Sequence, residues 1–115
     1  MQEPPNRKIL FSQFRDEMRS RSLGELRKER LDWRERKSSA EDHEESRLLG
    51  EVSNAVTTLY GDLASWPQED EARGDALTVS EYLEEAEPQR VNDATGHLHE
   101  AAFALADLEL FRRNG

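Results

Sequence analysis

The sequence predicts an all-α protein: a small helical bundle or antiparallel helical hairpin, with an additional long, charged N-terminal helix. Three observations carry that prediction. Leu49, Val52, Val56, Leu59, Leu63 and Trp66 recur at steps of 3, 4, 3, 4 and 3, the spacing that keeps side chains on one narrow stripe of an α-helix. Ala94, Leu98, Ala101, Leu105 and Leu108 repeat the pattern at 4, 3, 4 and 3. The central run also fails to alternate apolar with polar, as a half-buried strand would. The two heptad-like seams are natural packing partners, and the segment between them leaves room for an antiparallel arrangement.

Taken in order, residues 1–7 carry Pro4, Pro5 and Asn6 and read as a flexible lead-in to a single helical domain over 8–115. From Lys8, Leu10, Phe14 and Met18 follow i, i+4, i+8, with Ile9 and Phe11 widening the face. The pattern weakens at Ser20, Ser22 and Gly24, where a bend or break is expected. It resumes through Leu23, Leu26, Leu31 and Trp33 in a highly charged background that ends near Lys37. Such a segment can be helical while burying little, so it either packs across the body or projects as an arm.

Ser38 with Glu41, or Ser39 with Asp42, fits a capping box at the start of the central helix, which is expected over about 40–65 and is stopped by Pro67. Residues 67–76 read as a polar loop. Thr78 with Glu81 makes a second capping box, with Leu77 and Tyr82 placed as a hydrophobic staple. The short helix that follows runs from Val79 to Glu87 and closes at Pro88. A final helix covers roughly 89–113. Phe103, Leu110, Phe111 and several alanines spread its apolar surface around much of the second half, as befits a helix central to a core or an interface.

Composition narrows the function classes. Only 35% of the 115 residues are hydrophobic and 36% are charged, a thin apolar supply for a chain that buries roughly 60–70% of its unfolded surface. Association would relieve that shortage, so a homodimer is an expectation. There is no Cys, which excludes a disulfide framework and thiolate metal ligation. No apolar run reaches the length of a membrane span. The N-terminal residues lack the blocks of a secretory signal, and a cytoplasmic location is expected. Charge is divided: residues 1–37 carry 11 Lys/Arg against 7 Asp/Glu, a net of +4, whereas residues 38–115 carry 5 against 18, a net of −13. A basic front joined to an acidic body implies either docking between the two or a separate partner for each.

Candidate chemistry is sparse. His97 and Glu100 stand at i,i+3 with His99 between them, the one cluster resembling metal ligands. A bundle metal site needs further inward carboxylates from neighbouring helices, and Glu51 and Asp62 lie off the central stripe, so no metal and no cofactor are expected. Glu81, Glu84 and Glu85 resemble the clustered carboxylates of magnesium-dependent helical pyrophosphohydrolases, but the matching acidic set on a second helix is missing. The run Ser22–Leu31 resembles the opening helix of a helix-turn-helix repressor; residues 32–39 then lack the turn and recognition helix, so no family is assigned. No phosphate-binding glycine loop is present.

The leading expectation is therefore a non-enzymatic protein-binding or regulatory module: an adaptor, assembly factor or inhibitor. Its anchors would be Leu10, Phe14 and Met18. Glu69, Asp70, Glu71, Glu84, Glu85 and Glu87 would steer a partner with a basic surface. The alternative is a nucleic-acid-associated regulator that contacts phosphates through Arg27, Lys28, Arg30, Arg34, Arg36 and Lys37. A carboxylate/His metal enzyme comes third.

Overall fold

The computed structural model describes residues 6–65 and 71–114, with side chains throughout except at 71–73 and 114. The described residues form an all-α globule of six helices: α1 (Arg7–Arg19), α2 (Leu23–Ser39), α3 (His43–Ala64), α4 (Glu71–Ala76), α5 (Val79–Glu85) and α6 (Pro88–Asn114). None of them is long and apolar enough to cross a membrane.

The two seams find each other. Val52, Leu59, Leu63, Ala94 and Ala101 are fully buried, and Leu49, Val56, Leu98 and Leu108 are nearly so, all within one hydrophobic core; Trp66 lies outside the described residues. Asp62, late in α3, meets His97, early in α6, while Ala55 and Ala104 line one groove further along, so the two helices run antiparallel. Around them α2 packs on α3 and α1 packs on α6. The helices therefore run α2–α3–α6–α1 across a flattened body of 47 × 34 × 21 Å, and α1 and α2 flank the central pair although they are consecutive in sequence. The radius of gyration, 14.9 Å, exceeds the ~13 Å of a spherical domain of this length.

The N-terminal charged segment is not one long helix. It breaks at residues 20–22, and both halves pack on the body, so the projecting arm is excluded. Ser22 starts α2 with a full capping box to Glu25. Its backbone pairs with Thr78, which starts α5 with the box expected to Glu81. The box expected at Ser38 or Ser39 does not form. Instead α2 continues to Ser39, the Ser38 hydroxyl donates back to the Arg34 carbonyl at 3.1 Å, and Asp42 caps α3 by accepting from the Glu45 amide at 2.9 Å. A side chain in mid-helix can satisfy itself on its own preceding turn, and that option wins here.

Residues 71–76, read as loop, are helical. Two groups of this short helix are held from outside: the Gly74 carbonyl accepts from the buried Tyr82 hydroxyl at 2.7 Å, and Asp75 takes both ends of the Arg27 guanidinium. Helix α5 stops at Glu85, two residues early. Pro88 opens α6, at the first helical position, where its missing N–H costs nothing.

Candidate functional site

Residues on one face of α3 and one face of α6 build an open concavity. Glu51, Asn54, Ala55 and Thr58 come from α3; Glu100, Phe103, Ala104 and Asp107 come from α6; Arg7 of α1 closes one side. Each helix contributes positions i, i+3, i+4 and i+7, the side chains that share a face over two turns. The antiparallel register sets the buried alanines Ala55 and Ala104 along the floor, with the exposed Glu51 and Glu100 on the walls. The result is an open groove of about 500 Å³. Its length is ~10 Å, seven residues of helical rise.

Its lining is negative. Glu51, Glu100 and Asp107 face one cation, Arg7. Glu51 is also approached from outside by Arg47, whose guanidinium reaches it at 2.7 Å and bonds Glu44 as well. That second bond holds the Glu44 carboxyl below its ordinary value. Arg7 reaches Asp107 with Nε at 2.9 Å and lies over the Phe103 ring at 4.5 Å. Phe103 is in turn stacked on Phe11 of α1, at 4.1 Å between centroids, and His99 meets Phe11 edge-on. Glu100 has no ion-pair partner among the described residues.

The residues singled out from sequence distribute differently. Leu10 (2% exposed) and Met18 (4%) are buried in the chain's own interior, so they are corrected from partner anchors to core; α6 covers the face they form. Phe14 is half-buried. Glu69 and Asp70 lie outside the described residues, as does the side chain of Glu71. Glu84, Glu85 and Glu87 are exposed around the end of α5.

Among the proposed phosphate contacts, Arg27 is committed within the chain. It forks onto Asp75 at 2.6 and 3.1 Å and donates to the Tyr60 hydroxyl at 3.0 Å. These bonds hold the Arg27 guanidinium above and the Asp75 carboxyl below their ordinary values. Arg30 is half-buried with its guanidinium 4.4 Å above the Tyr60 ring, and its buried Nε has no hydrogen-bond acceptor among the described residues. Lys28, Arg34, Arg36 and Lys37 are exposed; Arg36 lies over Trp33, and the stem of Lys37 runs along Gly50. Docking between basic front and acidic body is thus partly realised inside the chain, through Arg7–Asp107 and Arg27–Asp75.

His97 and Glu100 do not form a pair. His97 bonds Asp62 through Nδ1, and Glu100 turns into the groove. No group of three or more His, Asp or Glu side chains among the described residues is arranged to hold a metal ion. A smaller polar hollow of about 230 Å³ lies beyond Asp62, lined by Ser65, Arg90 and Asp93. Sequence reasoning missed the groove because it treated Glu51 and Glu100 only as metal ligands. The shared spacing Glu51–Ala55 and Glu100–Ala104 was the available signal. Comparison of the chain with protein-family models, curated proteins and solved structures finds no match.

Proposed function

We propose that this protein is a non-enzymatic, protein-binding regulatory module, and that the α3–α6 groove receives a basic segment of its partner. The observation that supports this reading is the groove's construction. A floor of alanines permits close approach by another backbone, and a rim of carboxylates, one of them without an ion-pair partner among the described residues, favours positive charge. Helix-in-groove recognition uses such a valley, with small or apolar contacts below and charge at the edges. The exposed acids Glu84, Glu85 and Glu87 extend the negative field and would accelerate encounter with a basic surface.

The test is fluorescence anisotropy of a labelled, alanine-based helical peptide bearing arginines, titrated with the full chain at several salt concentrations. Binding should weaken as salt rises. The double variant Glu51→Gln/Glu100→Gln should lose roughly fivefold or more in affinity, the scale of two exposed charge pairs. A labelled DNA duplex serves as the second probe. Duplex binding through Lys28, Arg34 and Arg36, with no peptide binding, would replace this reading with the nucleic-acid one. A mass measurement alongside separates partner binding from self-association.

A further inference from the structure

The Arg7 contacts point to a more specific site. We propose that the Phe103–Asp107 end of the groove is a guanidinium subsite, that the partner's basic segment supplies an arginine to it, and that Arg7 is the chain's own tethered occupant, displaced on binding. This rests on the reading of the groove as the site for a basic segment.

The geometry selects a guanidinium over an ammonium. The Arg7 side chain places Cζ 4.5 Å from the centre of the Phe103 ring while Nε and Nη2 reach the two Asp107 oxygens at 2.9 and 3.4 Å. A planar fork can stack on an aromatic face and bond both carboxylate oxygens at once; a compact, strongly hydrated lysine head cannot. Phe11 backs the Phe103 ring from α1 and fixes its plane.

Arg7 is also loosely held. Its side chain is 56% exposed, and exposed ion pairs are weak. It occupies the first position of α1, and Asn6, Arg7, Lys8 and Ile9 are all exposed, so the first anchored side chain is Leu10. The opening turn can therefore lift away without uncovering the core. Meanwhile Glu100, with no ion-pair partner among the described residues, stands one turn from Phe103 on α6, and Glu51 lines the groove from α3. An incoming helix with arginines one or two turns apart can meet these acids together, which Arg7 alone cannot. Because Arg7 is tethered, it competes at a high effective concentration and masks the subsite from weak ligands.

The experiment compares wild type with Arg7→Ala, using the arginine peptide and a second peptide with lysine at every arginine position. Circular dichroism establishes that the variant is folded. Removing the tethered competitor should tighten arginine-peptide binding roughly three- to tenfold, in proportion to the fraction of time the subsite was occupied. The lysine peptide should gain far less. Lys8→Ala removes a neighbouring exposed charge without touching the subsite and should change affinity by less than about twofold. Phe103→Leu should erase the preference for arginine over lysine. If Arg7→Ala binds the arginine peptide no better than wild type, or if Lys8→Ala gives an equal gain, the subsite is overturned while the groove reading stands. If neither wild type nor Arg7→Ala binds the arginine peptide, both fall together.

Discussion

Ser22 and Thr78 face one another across an antiparallel backbone bridge, and each caps the helix that follows it. The Leu23 amide donates to the Leu77 carbonyl at 3.0 Å, and the Val79 amide to the Arg21 carbonyl at 2.9 Å. On either side a hydroxyl accepts from the amide three residues on, and the glutamate there reaches back to the cap. Two helix starts are thereby fastened at one point, which joins the α1–α2 corner to the α4–α5 corner. Ser22→Ala and Thr78→Ala should each lower unfolding free energy by about 1 kcal/mol. The double variant should depart from additivity, because one bridge orders both caps. Urea denaturation of the three variants measures this.

The Arg27–Asp75 pair makes a pH-dependent prediction. Hydrogen bonds from Arg27 hold the folded Asp75 carboxyl below its ordinary value, so the folded state binds fewer protons there than the unfolded chain. Its stabilisation is complete above the unfolded carboxylate pKa of about 4 and disappears as pH falls through the lower folded value. Asp75→Asn should therefore be less stable than wild type at neutral pH, with the gap closing in acid. Denaturant midpoints at about pH 7 and about pH 3 test the sign.

Glycines in α3 offer a contrast in packing. A Cβ at Gly61 would meet nothing within 4 Å, whereas one at Gly50 would lie 3.2 Å from Lys37 Cε. Neither residue has a positive φ. Gly61→Ala should gain about 0.5–1 kcal/mol from helix propensity alone. Gly50→Ala should gain less, because the Lys37 stem has to move. Thermal melts of both variants rank them.

Core and surface leucines should separate cleanly. Leu59 is fully buried and Leu31 is 49% exposed. Leu59→Ala should cost about 2–5 kcal/mol through lost transfer and an unfilled cavity, while Leu31→Ala should stay within ~0.5 kcal/mol. Chemical unfolding at fixed temperature distinguishes them.

The seams were legible because burial leaves a periodic trace: Val52, Val56 and Leu59 declare a stripe whatever covers it. Thr78 was legible because its cap, its glutamate and its staple coincide. The identical box at Ser22–Glu25 passed unnoticed among the surrounding charges, and the false one at Ser38 shows how readily a serine spends its hydroxyl on its own helix instead. That α6 covers Leu10 and Met18 could not be read from α1 alone, since an amphipathic face does not say who its partner is. The groove was invisible for a related reason. Ala55 and Ala104 become a floor only once two helices 49 positions apart are set in antiparallel register.

The lateral order of the helices constrains how the chain is made. Helix α1 leaves the ribosome well before its mate α6, and the Arg7–Asp107 link spans 100 positions. Until α6 emerges, the face of α1 that carries Leu10 and Met18 lacks its main cover, as does the side of α3 on which α6 packs. Emergence of α6, rather than any early local event, closes the body, and a nascent chain halted inside α6 would display the greasy flank of α1 to the cell.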